Sequence, residues 1–388
     1  MTRNVLFAHQ SAELYGSDKV LLSLVEGLKG TAYNPIVLLP MEGPLKFELE
    51  KLGIECHVIP LAKVGRGIFS PKGIISLLFQ LTKGLQEIDR VIDRRNIDVV
   101  YSNTLAVLAA AGWARTRKIP HLWHVHELVV SPVIVRKGFP WLLRLFADKI
   151  ICNSSMTRKW VVGEQPKLEN KTVTIWNGIG LRPEKDQQAV DVFLRKLGIP
   201  VGRLVFALVG RVNRWKGQSL LVDAVSILWT RGYHDIHLLI AGSPPPGQDF
   251  FLQKLNEKVL DSPACSNISV VDFMPNIWCV WDCCDIAVVP STEPEPFGLV
   301  AIEAMASGKP VVAAGHGGLL DIIDDGVTGL LFEPSNAEAL ADSLLQLIEN
   351  PVLRASMGHR GRERQISLFS FSTQIRETVD CLDMLTGK

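Results

Sequence analysis

No apolar run in this chain approaches the ~20 uninterrupted residues that a bilayer-spanning helix needs, so no membrane span is expected. Met1-Thr-Arg-Asn before Val5-Leu-Phe-Ala is too short for a signal peptide and reads as the start of a first strand. Metal-site spacing is also missing. The seven cysteines (Cys56, Cys152, Cys265, Cys279, Cys283, Cys284, Cys381) are odd in number, and most sit in apolar segments as small core residues. Cys279-Val-Trp-Asp-Cys283-Cys284 has neither histidine partners nor a second cysteine pair, which excludes a zinc centre. A reduced, cytosolic compartment follows as the expectation. Neither Ser11–Lys19 nor Gly210–Gly217 supplies Gly-x-Gly-x-x-Gly after a strand. A dinucleotide-dependent oxidoreductase, an otherwise natural reading, therefore lacks its fingerprint.

What remains is an ordinary globular composition. The 388 residues, 47% hydrophobic and 21% charged, suffice for two domains. Net charge is only +1, but residues 1–175 hold 23 Lys+Arg against 15 Asp+Glu, and residues 176–388 hold 18 against 25. A basic first half suits an anionic partner such as a membrane surface or a phosphorylated acceptor. Lys63-Val-Gly-Arg-Gly-Ile-Phe-Ser-Pro-Lys and Val133-Ile-Val-Arg-Lys-Gly-Phe-Pro-Trp-Leu-Leu-Arg-Leu-Phe interleave cations with large apolar side chains, as an interfacial surface does.

The most informative stretch runs from Pro290 to Ala313. Asp285–Pro290 reads as a short buried strand, Leu299–Ser307 as a helix closed by Gly308 and Pro310, and Val311–Ala314 as the next strand. Glu295 falls in the loop and Glu303 about one turn inside the helix. Between them the amides of Phe297, Gly298, Leu299 and Val300 are the unpaired donors of a helix N-terminus, suited to phosphate. Carboxylates at both ends accept from hydroxyls, so the stretch reads as a cradle for something polyhydroxylated and phosphorylated.

Strand and helix patterns alternate along the rest, which argues for parallel sheets covered on both faces, with ligands beyond the strands' carboxyl ends. Four such ends stand out, and one of them, Asp98-Val-Val-Tyr-Ser-Asn103-Thr, ends in polar side chains. Asn4–Gln10 runs into a small-residue loop with Gly16 and Ser17, then a helix from about Val20 to Leu28. His121–His126 alternates, putting His124 and His126 on one face. Leu204–Val209 leads into Gly210-Arg211-Val-Asn-Arg-Trp-Lys216-Gly217, whose Arg211 fork and Lys216 point charge can neutralise a diphosphate.

Glu-Pro-Phe-Gly-Leu-Val-x-x-Glu-Ala-Met-Ala-x-Gly-x-Pro-Val-Val-Ala resembles the Glu-x7-Glu motif of retaining glycosyltransferases of family 4, the kind that build bacterial surface glycans. Gly-Arg-x4-Lys-Gly at Gly210, His126-Glu127 and Trp176-Asn-Gly-Ile resemble further segments of that family. The resemblance implies an α/β chain of GT-B fold, two Rossmann-like doubly wound parallel-sheet domains facing a cleft. It divides the chain into an acceptor-side domain (1–180), a linker (181–202), a nucleotide-sugar domain (203–366) and a final helix (367–388) crossing back to the first domain. Catalytic roles fall on His126, Arg211, Lys216 and Glu295. Donor contacts fall on Gly16, Ser17, Gly210, Met274, Phe297, Gly298, Leu299, Val300 and Glu303, with Phe273-Met-Pro275 lining the base. His124 competes with His126 for the sugar. The chain departs from the family in lacking the first loop's Gly-Gly pair, in carrying Gly180 for an aspartate, and in having Asp321 for a glutamate.

The activity so implied is transfer of a sugar from a UDP- or GDP-sugar to an acceptor hydroxyl with retention, without metal or cofactor. The expected setting is cell-envelope polysaccharide, lipopolysaccharide or glycolipid synthesis. The partners would be the donor, a glycan or lipid-linked acceptor and, through the basic half, the inner face of the cytoplasmic membrane, but no nucleic acid. A non-catalytic nucleotide-sugar-binding protein of the same fold is the alternative.

Overall fold

A computed structural model describes residues 2–61, 71–92, 95–274 and 276–387. The chain divides into two compact units, Met1–Gly180 with Ser370–Lys388, and Leu181–Phe369.

The first unit is built on seven parallel strands: β1 (Arg3–His9), β2 (Tyr33–Leu39), β3 (Glu55–Val58), β4 (Val99–Asn103), β5 (His121–Val125), β6 (Lys149–Cys152) and β7 (Thr172–Thr174). Their order is β3-β2-β1-β4-β5-β6-β7. The helices between them are α1 (Gly16–Leu28), α2 (Pro44–Lys51), α3 (Pro71–Ile92), α4 (Leu108–Arg117), α5 (Val133–Phe146) and α6 (Ser155–Glu164). A central strand of such a sheet is apolar on both faces, and β1 shows why. Val5 and Phe7 join Leu21, Leu24 and Leu28 of α1 in one core, while Leu6 and Ala8 join Ala110 and Trp113 of α4 in the other. Register places His9 beside Asn103, and Asn103 beside His124. Three polar side chains therefore line up at the carboxyl ends of β1, β4 and β5, on both sides of the point where strand order reverses.

The second unit opens with α7 (Gln187–Lys196), followed by β8 (Leu204–Val209), α8 (Gln218–Thr230), β9 (Ile236–Ala241), α9 (Phe250–Leu260), β10 (Ile268–Val271) and α10 (Trp278–Cys283). It continues through β11 (Ile286–Val289), α11 (Leu299–Ala306), β12 (Val311–Ala314), α12 (Leu319–Ile322), β13 (Gly329–Phe332), α13 (Ala337–Glu349) and α14 (Pro351–Leu368). The six strands are ordered β10-β9-β8-β11-β12-β13, again all parallel. The last helix, α15 (Phe371–Thr386), belongs to the first unit. There Gln374 accepts from the Gly178 amide at 2.8 Å, and Ile375 packs so closely on α1 that a Cβ on Gly27 would lie 2.5 Å from it.

Several boundaries differ from the sequence expectation. Helix α1 begins at Gly16 rather than near Val20, because Asp18 in its first turn accepts from the Tyr15 amide at 2.9 Å and pulls the preceding residues into the cap. The stretch 181–202, expected as a linker, contains α7, capped by Asp186 accepting from the Ala189 amide. Helices α6 and α10 had no sequence forecast. Ser154 caps α6, and the cysteine-rich α10 buries Val280 and Trp281, its thiols serving as packing rather than ligands. Among the described residues no cluster of His, Cys, Asp or Glu could hold a metal ion, and no helix is long and apolar enough to cross a membrane. The basic, apolar segment from Lys63 lies outside the described residues as far as position 70, as does Pro275.

Candidate active site

In the second unit, three loops converge at the carboxyl ends of β8, β11 and β12. The first is shaped by Asn213, whose side-chain oxygen accepts from the Trp215 and Lys216 amides at 3.1 and 3.0 Å. Such an Asx turn reverses the chain and leaves Lys216 projecting along Gly210, where a Cβ would meet its stem at 3.6 Å. Gly217 then starts α8 at φ +79°, its Cα so close to the next loop that a Cβ would lie 1.9 Å from the Pro290 carbonyl oxygen. The Thr292 amide donates to the Trp215 carbonyl at 2.8 Å and completes the junction.

That junction brings a cation to a carboxylate. Lys216 Nζ lies 2.5 Å from Glu295 Oε1, which also accepts from the Ser291 hydroxyl at 2.6 Å. Lys216 Nζ also stands 4.4 Å from the centre of the Trp215 ring. Glu295 is 5% exposed, so its charge is balanced locally rather than by solvent. The third loop fixes its backbone: the Gly318 amide donates to the Glu295 carbonyl at 2.7 Å, and a Cβ on Gly317, at φ +65°, would lie 2.4 Å from that oxygen. His316 donates from Nε2 to the Ser291 carbonyl at 2.8 Å. The Gly-His-Gly-Gly loop thus reads physically as a clamp on the Glu295 loop.

The remaining sequence candidates of this unit fall at defined places. Gly298, at φ +120°, is the N-cap of α11; Leu299 and Val300 are its first residues, and Phe297 is buried just before it. First-turn amides have no acceptor within their own helix and face whatever lies at its end. Glu303 is half-buried on α11, Arg211 is exposed at the end of β8, and Met274 is half-buried in the loop after β10.

The first unit carries its own polar cluster, of which the sequence had singled out His126, its rival His124, Glu127 and the polar strand end at Asn103. His126 Nε2 lies 2.9 Å from Asn103 Oδ1. Asn103 Nδ2 stands 3.1 Å from His9 Nδ1, and His9 Nε2 lies 2.7 Å from Asp18 Oδ1. Glu127 accepts from the Leu105 and His126 amides at 3.2 and 3.1 Å, tying the loop after β4 to the loop after β5. His124 is fully buried beneath His126, ring centroids 3.9 Å apart, with Nδ1 2.8 Å from the Tyr101 hydroxyl. Burial without solvent access leaves His124 to the interior, so His126 is the imidazole nearer the surface. Gly16 and Ser17 occupy the first turn of α1 rather than a loop. Asp18, two residues after Gly16, and His9, at the first strand's end, went unremarked in the sequence. The polar end of a strand before a small-residue loop was their available signal.

Burial sets the electrostatics here. It pushes His121 down to about 4 and His124 to about 3, and desolvation with the neighbouring rings of His124 and His9 holds His126 well below its usual range. Burial instead raises Glu127 to about 7. Depressed histidines stabilise the fold above their unfolded value, about 6.5, and withdraw that stability as pH falls toward their folded values. Glu127 acts oppositely, stabilising at low pH and losing its contribution as pH rises through about 7. At ~1.4 kcal/mol per pKa unit, His121 and His124 each cost about 2 kcal/mol between pH 7 and pH 5, and Glu127 offsets roughly one of them. The urea midpoint of this unit is therefore expected to fall between pH 7 and pH 5, and His121→Gln to flatten that fall. A midpoint independent of pH over this interval would contradict the assignment.

The two parallel-sheet units have the GT-B fold, and comparison with known proteins supplies the family. Residues 15–182 match the family described as Glycosyltransferase Family 4, and residues 190–364 match Glycosyl transferases group 1. The chain belongs to glycosyltransferase family 4. It is 28% identical over 326 residues to an uncharacterized glycosyltransferase of Methanocaldococcus jannaschii, covering 81% of each chain. It is 35% identical over 176 residues to D-inositol 3-phosphate glycosyltransferase of Corynebacterium glutamicum, a match spanning 45% of this chain and 42% of that enzyme, so less than half of the relative's length is shared. The crystal structure of Anabaena HepE with UDP and glucose superimposes with a TM-score of 0.82 at 24% identity, covering 98% of this chain and 99% of the other.

Proposed function

We propose that the protein transfers a sugar from a nucleotide-diphosphate sugar, UDP- or GDP-linked, to an acceptor hydroxyl with retention of anomeric configuration and without a metal ion. The observation that carries this reading is the 2.5 Å contact of Lys216 with the buried Glu295, held beside the N-terminus of α11 by three interlocked loops. An ammonium fixed in this way is preorganised for charge developing on a departing diphosphate, the largest contribution in such a transfer. Arg211 adds a fork suited to phosphate oxygens. Glu295 and the α11 amides orient the sugar, Glu303 accepts from the ribose hydroxyls, and Met274 lies against the base. His126 hydrogen-bonds a sugar hydroxyl. No second carboxylate among these residues stands as a covalent nucleophile, which favours a front-face displacement in which the leaving phosphate takes the acceptor's proton. The complex of HepE with UDP and glucose supports the donor class.

The acceptor is proposed to be a cell-envelope glycan or glycolipid. Supporting this, α5 exposes Val133, Ile134, Trp141 and Leu145 alongside the exposed cations Lys137 and Arg144. Incubation with UDP-, GDP- and ADP-sugars, with and without anionic vesicles carrying glycolipid, tests the reading. Nucleotide diphosphate release and an α-linked product from an α-linked donor are expected. Inversion at the anomeric carbon, or no release from any donor, would overturn it.

A further inference from the structure

The polar line in the first unit has a direction. The Asp18 carboxylate only accepts, so at 2.7 Å it requires the proton of His9 on Nε2. His9 Nδ1 lies 3.1 Å from Asn103 Nδ2, which donates, and 3.0 Å from the Asn103 carbonyl oxygen, which only accepts; in a neutral His9 protonated on Nε2, Nδ1 takes the Nδ2 proton. With its nitrogen turned to His9, Asn103 turns its oxygen to His126, and that oxygen lies 2.9 Å from His126 Nε2. Asp18, His9 and Asn103 are respectively 1%, 0% and 0% exposed, so water does not interrupt the sequence of bonds.

Resting on the reading of His126 as a sugar contact, we propose that Asp18, His9 and Asn103 are positioning residues that hold His126 as its Nε2–H tautomer. Nδ1 is thereby left as the hydrogen-bond acceptor presented to a substrate hydroxyl. The identity of the ring nitrogen that carries the proton is set by the bond its other nitrogen makes, and here that bond is dictated from β1 and α1. Depressed basicity of the buried His126 ring keeps it neutral, so the tautomer rather than the charge is what the line controls. Stacking on His124 at 3.9 Å fixes the ring plane.

Asp18→Asn tests this with the smallest change of shape. Asparagine still accepts from the Tyr15 amide, preserving the cap of α1, but its amide also donates to His9. The His9 proton is then free to move to Nδ1 and donate to the Asn103 carbonyl, which lies at 3.0 Å. Asn103 turns over and donates to His126 Nε2, and the His126 proton moves to Nδ1. Nitrogen-15 spectra of the full, substrate-free chain with labelled histidine, assigned through His126→Gln, read this directly. In the native chain His126 is expected to show a protonated Nε2 and a bare Nδ1, and in Asp18→Asn a reversed or mixed pattern. Turnover should fall about 10- to 100-fold with the donor KM nearly unchanged, as for other residues that orient a functional histidine. His9→Phe provides a second disruption if Asp18→Asn does not fold, with the same mixed pattern expected. A native His126 protonated on Nδ1, or His126 signals unmoved by either substitution, would overturn the proposal. The spectra need no turnover, so absence of sugar transfer would count against the assigned reaction and leave the tautomer test standing.

Discussion

Lys216→Ala is expected to lower turnover by a factor of about 100 to 1,000, the range for removing one preorganised donor to a charge that grows in the transition state. The side chain is 17% exposed and its present partner, Glu295, 6%. Its removal leaves Glu295 with the Ser291 hydroxyl alone, an imbalance that costs about 1–3 kcal/mol. A Tm lower by several degrees should accompany the kinetic loss without accounting for it, because folded enzyme can be assayed well below that temperature. Lys216→Arg restores charge without the point geometry, and partial recovery is expected. Glu295→Gln keeps an acceptor for Ser291 but releases the lysine, and should reduce turnover less than Lys216→Ala. Unchanged turnover in Lys216→Ala, measured with any donor the enzyme accepts, would remove the cation from the mechanism.

Gly217→Ala carries the second large effect, on stability. Two costs add at this position. A side chain at φ +79° pays about 1–2 kcal/mol for left-handed backbone. The new Cβ would also lie 1.9 Å from the Pro290 carbonyl oxygen, a backbone atom that cannot step aside without displacing the Glu295 loop. Gly308→Ala separates the two, since Gly308 has φ +67° and open space around its Cβ position. At roughly 2–4 °C per kcal/mol for a unit of this size, Gly308→Ala should lower the Tm by a few degrees. Gly217→Ala should lower it by 8 °C or more, or prevent folding of the unit. Equal shifts in the two variants would show that the close approach of α8 to the end of β11 has no energetic consequence.

How much of this was legible in the sequence depends on distance along the chain. The strand, loop and helix around Glu295 could be read because proline and glycine punctuate them. The observed β11, α11 and β12 lie within a residue of the expected boundaries, and Gly308 closes α11 at φ +67° as a C-terminal glycine should. The Lys216–Glu295 contact joins residues 79 apart; both were legible as charged residues in loops after apolar strands, but their meeting depends on β11 lying beside β8, a crossover that the strand pattern does not specify. The Asp18–His9–Asn103–His126 line was hidden for the same reason. It requires β4 to lie beside β1, a crossover that periodicity does not specify, and it requires the register that sets His9 against Asn103. Helix α10 escaped notice because six residues rich in tryptophan and cysteine show too little periodicity to distinguish a helix from a buried strand. The polar composition of 181–202 suggested a linker, but Asp186 at a cap position is the local signal that α7 begins there.

Lys216 and the loops around it are proposed to grip a nucleoside diphosphate. Melting curves of the native chain and of Lys216→Ala, each with excess UDP, GDP or ADP, test it most directly, because a ligand held at 100 times its dissociation constant stabilises the folded protein by about 2.7 kcal/mol. A rise in Tm of several degrees with at least one of the three in the native chain, much reduced in Lys216→Ala, is the predicted result. A native chain that none of them stabilises, or a variant that responds as the native chain does, would contradict it.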